Sequence, residues 1–157
     1  MSDGLFALYL LLCTNKINLR NLWEEIIIKM DRFIEAQNNV TFSGLTVYER
    51  AIKEISSGYL SIHCWIRYLF PQLSGLGQSK VTKFYEIKSR EEALEYMQNE
   101  LLRTRYLNCC QAILDSNKSI YEIFGPNYIK VRASLLLMNS VYEHAIIKKL
   151  LANHCWI

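Results

Sequence analysis

Two prolines and six glycines in 157 residues leave few points at which the chain is forced to turn. A sandwich or barrel of short strands needs such punctuation about every ten residues, so a many-stranded architecture is excluded and long helices are favoured. Charge of one sign is also scarce in any one place. The 18 basic and 15 acidic residues give a net charge of +3 with no run of five like charges. That excludes a polyionic tail, and the total alone defines no electrostatic footprint, which requires cations gathered on one face. The five cysteines are odd in number and none forms a Cys-x-x-Cys pair, which argues against a disulfide framework and a redox motif and for an intracellular protein. Residues 5–13 are a nine-residue apolar stretch preceded by no cation. A bilayer span needs roughly 20 such residues and a secretory leader needs a cationic start, so a packed first helix is expected and no membrane span.

Catalytic signatures are missing as well. Gly75-Leu76-Gly77 lacks the Lys-Ser/Thr that follows in a phosphate-binding loop. His63-Cys64 and His154-Cys155 are adjacent pairs, and neighbours on a helix point about 100° apart, whereas zinc ligands must converge. A cysteine nucleophile would need His63, His144 or His154 beside it, and no motif brings one there. Glu24-Glu25 and Glu91-Glu92 fall in first helical turns, where carboxylates suit the positive end of the helix dipole. The expectation is therefore a protein that is not an enzyme, with no catalytic residue, no metal and no cofactor.

What the sequence has in quantity is apolar surface at helical spacing. Apolar residues make up 51% of the chain, and the length suffices for one domain, residues 1–157, with a core of its own. A first helix is expected over 3–14 and a second over 19–37, where Leu22, Trp23, Ile26, Ile27, Met30, Phe33 and Ile34 recur every three or four positions. Thr46-Val47-Tyr48-Glu49 reads as a capping box opening a helix over 47–57, with Gly58 as its left-handed stop. A helix from about residue 60 should end before Pro71. The loop 71–79 divides the chain, a short helix follows over 80–88, and Ser89-Arg90-Glu91-Glu92 opens a long one reaching about residue 114. After a turn at 119–124 and Gly125-Pro126, a final long helix is expected over 128–152, apolar on nearly every face across 133–147 and so placed at the centre of the core. The predicted fold class is all-α, a multi-helix bundle or short α-α repeat array of about seven helices.

Two stretches repeat one another. Val47-Tyr48-Glu49-Arg50-Ala51-Ile52 is followed by His63-Cys64-Trp65-Ile66, and Val141-Tyr142-Glu143-His144-Ala145-Ile146 by His154-Cys155-Trp156-Ile157, which suggests a duplicated helical unit. The first block, continued by Trp65-Ile66-Arg67-Tyr68, resembles the half-a-tetratricopeptide (HAT) repeat, in which a Tyr-Glu-Arg-Ala helix is followed by an antiparallel helix opening on Trp. Leu22-Trp23-Glu24-Glu25-Ile26 resembles a preceding first helix and Lys83-Phe84-Tyr85-Glu86 a degraded second one, so the resemblance covers about half the chain. It implies a superhelical scaffold of the kind found in RNA-processing assemblies, where such repeats mostly bind proteins.

Ten Tyr, six Phe and three Trp exceed what a small core needs, and Tyr, Trp and Arg dominate binding hot spots. Tyr59, Arg67, Tyr68, Phe70, Lys80, Lys83, Tyr85 and Arg90 lie close together along the chain and form the candidate partner surface. The function expected is that of a helical adaptor binding a protein through a groove or concave surface. Two alternatives stand beside it: an RNA-processing helical repeat protein, and a viral-type bundle that sequesters a host amphipathic helix. Assembly with a second copy stays open.

Overall fold

The structure is a computed structural model that describes residues 19–58 and 65–157. The expected helix over 3–14, Tyr59 and His63-Cys64 lie outside the described residues. The fold is all-α. Among the described residues the only extended pairings are isolated bridges, Val40 with Thr46 and Leu73 with Ile87.

Packing divides the chain into two units, residues 1–31 and 32–157. Of the first, residues 19–31 are described and form the opening part of α1 (Leu19–Asn38), where Arg20 Nε donates to Glu24 one turn on, at 3.1 Å. The second unit is a bundle made of the end of α1 and the helices α2 (Val47–Ser57), α3 (Ile66–Leu69), α4 (Lys80–Tyr85), α5 (Arg90–Gln98), α6 (Glu100–Asp115), α7 (Ile120–Phe124), a 3₁₀ turn (Gly125–Asn127), α8 (Tyr128–Val141) and α9 (Ala145–Asn153).

Caps set most of these boundaries. Thr46 Oγ1 accepts from the Glu49 amide while the Glu49 carboxylate accepts from the Thr46 amide at 2.8 Å, the reciprocal box that opens α2. Gly58 ends it at φ 65°, where a Cβ is unfavourable. Ser119 and Glu122 form a second box at the start of α7. Ser89 caps α5 as its sequence suggests, yet the Glu92 carboxylate does not return to the Ser89 amide. It accepts instead from the Lys88 amide at 2.6 Å and from Arg32 at 2.7 Å, so a half-buried side chain on α1 redirects half of the expected box.

Two expected helices are each broken in two. The stretch 89–114 is interrupted at Asn99, which has extended backbone (φ −68°, ψ 117°), ends α5 and caps α6 by accepting from the Leu102 amide at 3.1 Å. Asparagine competes with the helical backbone for hydrogen bonds and favours such a position. The stretch 128–152 is interrupted at 142–144, where Tyr142 and His144 are extended and His144 Nδ1 accepts from the Ile146 amide. This break also separates the two similar sequence blocks. Val47 to Ile52 open one helix, whereas Val141 to Ile146 run across the end of α8 and the start of α9, so these two six-residue stretches differ in structure.

The centre of the bundle is shared. α6 buries Leu102, Tyr106, Cys109, Cys110 and Ile113 along one stripe and packs against α2, α3, α5 and α9, while α8 packs against α5, α7 and α9. Aromatic rings fill the space between: Phe33 against Tyr96 at 5.1 Å, Phe70 against Tyr106 at 5.3 Å and against Phe124 at 6.0 Å, all edge to face. Buried hydroxyls are satisfied within the core, Tyr106 Oη and Ser134 Oγ lying 3.2 Å apart.

Candidate functional site

The loop 71–79 and the two short helices beside it make a cleft, and the chain holds it open from several directions. Trp65 Nε1 donates to Glu54 at 2.7 Å and its ring meets Phe124 edge-on, fixing the entry to α3. Ile66 and Leu69 are buried, which turns Arg67 and Tyr68 outward to half-buried positions. Past the buried Pro71, the Ser74 amide donates to Ile87 and the Ile87 amide to Gln72, both at 2.8 Å, so the loop is clamped to the segment that follows α4. Gly75, at φ 95°, turns the loop back. Ser79 then caps α4 by accepting from the Thr82 amide at 3.1 Å. Gly77 lies so close that a Cβ there would fall 2.0 Å from Thr82 Cγ2; only glycine lets loop and helix approach in this way.

The cleft has a volume of about 450 Å³. Arg67 on α3 and Lys130 on α8 line it, with the side-chain amides of Gln72, Gln78 and Asn127 and the hydroxyls of Ser79 and Thr82 between them. No carboxylate among the described residues lines it. Among the described residues neither Arg67 nor Lys130 takes part in an ion pair. A recess of about 10 Å³ opens beside it, shares Arg67, Gln72 and Thr82, and adds Tyr85 and Glu86. Glu86 is only 6% exposed. Among the described residues its Oε1 has no hydrogen-bond donor, and its Oε2 lies 3.7 Å from Lys88 Nζ. Tyr85 packs against Tyr68 at 4.6 Å, and burial, followed by the neighbouring Tyr68, pushes its phenol above the ordinary value. Leu73, Leu76, Val81 and Phe84 stand exposed around this region.

The residues expected at a partner surface separate into groups. Arg67 and Tyr85 line the cleft and its recess, and Lys80 and Lys83 are exposed on α4. Tyr68 is half-buried, its ring on Tyr85 and its carbonyl accepting from Gln37 and from Tyr96. Arg90 is tied to the end of α8, donating to the Ser140 carbonyl at 2.7 Å. Phe70 is a correction: it is fully buried between Tyr106 and Phe124 and belongs to the core. Residue order does not mark Lys130, Asn127 or Glu86 as site residues, because periodicity and caps describe neighbours along the chain and these residues line the cleft or its recess with Arg67 only through the fold. His154 is engaged through both ring nitrogens, Nε2 accepting from the Ile120 amide at 3.1 Å and Nδ1 lying 2.8 Å from the Leu150 carbonyl. Of the described residues, none form a group of three or more His, Cys, Asp or Glu able to hold a metal, and no helix is long and apolar enough to cross a membrane.

Among curated proteins none matches the chain. It is similar to a solved structure, that of the conserved hypothetical protein Rv1873 from Mycobacterium tuberculosis, with 34% identity and a TM-score of 0.70 over 80% of this chain and 86% of that one. The family described as "Protein of unknown function (DUF1810)" matches residues 27–156, a segment that contains every residue lining the cleft. The chain therefore belongs to the DUF1810 family.

Proposed function

We propose that this protein is a non-enzymatic helical adaptor that docks an anionic segment of a partner protein in the cleft between α3, the loop 71–79, α4 and the start of α8. The observation that carries this reading is the pair Arg67 and Lys130, two cations in one cleft of about 450 Å³ with no carboxylate among the described residues of its lining. Cations on a protein surface are ordinarily solvated or paired. Two that have no ion pair among the described residues and line one cleft amid neutral donors make a local positive field that favours an anion and offer it charge-assisted hydrogen bonds. The exposed Leu76, Val81 and Phe84 alongside add apolar surface to bury against the flanks of a bound segment.

Selection of a random peptide library on the full chain tests the proposal. The enriched sequences should carry acidic or otherwise anionic residues, and Arg67→Ala and Lys130→Ala should each weaken a selected peptide about tenfold, the equivalent of about 1.4 kcal/mol. A benzophenone residue substituted at Phe84 should crosslink to that peptide. Enrichment of neutral or basic sequences, or affinity indifferent to both substitutions, would overturn the reading. The RNA-processing alternative predicts tighter binding to RNA than to any peptide, with a steep loss on adding salt.

A further inference from the structure

Resting on that reading, we infer that the anionic group seated in the cleft is a phosphoryl group on a serine or threonine side chain of the partner, and that Glu86 in the adjoining recess bars a second negative group beside it. The charge count favours phosphoryl over carboxylate. Arg67 and Lys130 together present two positive charges, while a carboxylate carries one negative charge and two oxygens, and a single guanidinium fork satisfies both. A phosphorylated side chain carries about −1.5 to −2 near neutral pH and three acceptor oxygens. That matches both cations and leaves an oxygen for the hydroxyl or amide donors of Thr82, Gln78 or Asn127, which line the same space.

Glu86 supplies the second, independent observation. Its carboxylate is more than nine-tenths buried, lines the recess that Arg67 shares, and has one oxygen that no donor among the described residues reaches. A buried acceptor without a donor is costly. That oxygen is closed to solvent, so Glu86 acts on a ligand in the cleft through its charge and not through a hydrogen bond. With Arg67 and Lys130 both taken up by one phosphoryl group, the Glu86 carboxylate opposes any further negative group beside it. Pyrophosphate and RNA, which carry their next charge one bridging oxygen or one nucleotide away, are disfavoured for that reason.

The experiment titrates the full chain, labelled for NMR, with N-acetyl-O-phosphoserine methylamide, N-acetyl-glutamate methylamide and pyrophosphate in parallel. The phosphoserine probe should shift the Arg67 side-chain signal and the amides of 77–82 and 130 saturably, and should bind at least tenfold more tightly than the glutamate probe. Arg67→Ala and Lys130→Ala should each weaken it about tenfold; Arg67→Lys, which keeps the charge and loses the fork, should recover part of the loss. Glu86→Gln should improve pyrophosphate binding several-fold relative to the phosphoserine probe. Urea midpoints of each variant distinguish lost binding from lost folding, with Arg67→Gln as a second substitution if Arg67→Ala unfolds. Equal affinity for the glutamate and phosphoserine probes, or shifts confined to other regions, overturns the phosphoryl assignment and leaves the docking of acidic segments standing. Failure of all three probes overturns it too, and the peptide selection then decides the docking reading separately. Pyrophosphate binding that is unchanged relative to phosphoserine in Glu86→Gln removes Glu86 from the proposal.

Discussion

Cys109 and Cys110 are neighbours on α6, both fully buried, and burial pushes both thiols well above the ordinary range, with the adjacent Cys109 adding to the rise at Cys110. A thiol held in that state has almost no thiolate, and thiolate is the reactive form. Alkylation of the native protein at pH 8 followed by peptide mapping should therefore modify the exposed Cys155 and spare Cys109 and Cys110 until denaturant is added. Rapid modification of either in the folded protein would mean that α6 is not where the packing places it. Burial of this adjacent pair is legible from the sequence, since neither residue has the spacing of a redox or metal pair. The fate of Phe70 is not. Composition marks it as an aromatic beside Arg67 and Tyr68, but α3 is only four residues long, and the chain turns at its end so that Phe70 enters the core while Arg67 stays outside.

Among the elements, the helix starts are the part most legible from residue order. Hydrogen bonds from the Thr46 amide and hydroxyl hold the Glu49 carboxyl below its ordinary value, and those from Ser119 do the same for Glu122. A carboxyl with a lowered folded pKa contributes stability above its unfolded value, near 4.5, and that contribution disappears as pH falls through the folded value. Urea midpoints should hold nearly steady as far as these two boxes are concerned down to about pH 5 and decline below it. The decline should be shallower in a Glu49→Gln, Glu122→Gln double variant; parallel declines would assign the acid sensitivity to other carboxylates. Interruptions inside helices are less legible, because neither break contains Gly or Pro. At Asn99 the signal is a side chain that prefers capping to continuing, supported from outside by Arg103 donating to the Met97 carbonyl at 3.1 Å. Asn99→Ala should cost about 1 kcal/mol in urea unfolding, and a gain in stability would show that one continuous helix is the preferred state. At 142–144 the support is mostly tertiary, with Arg103 over the Tyr142 ring at 5.8 Å and Tyr142 stacked on His144, so no local pattern could announce it.

At the scale of the molecule, the all-α class follows from scarce breakers and helical spacing, whereas the cleft arises where the fold gathers residues of α3, the loop 71–79, α4 and the start of α8. Arg67 and Lys130 are far apart in sequence, and the loop between α3 and α4 is shaped by a pairing with Ile87 rather than by its own turn residues alone. One consequence separates core from surface within a stretch of the chain that composition treats as uniform. Phe70 is fully buried against Tyr106 and Phe124, whereas Phe84 is 60% exposed on α4. Deleting the Phe70 ring removes buried apolar area and leaves a cavity between two further aromatics, so Phe70→Ala should cost about 3 to 5 kcal/mol. Against a total of about 5 to 15 kcal/mol for a domain, that is enough to lower the melting temperature sharply and to unfold part of the population at 37 °C. Phe84→Ala leaves no cavity and should move stability by no more than about 0.5 kcal/mol, while weakening any peptide that packs along the rim of the cleft. Urea unfolding and peptide affinity measured on both variants give opposite patterns if the packing is right: one variant unstable, the other stable and weak in binding. Two variants of equal stability would place Phe70 at the surface, and the arrangement of α3 against α6 and α7 would have to be redrawn.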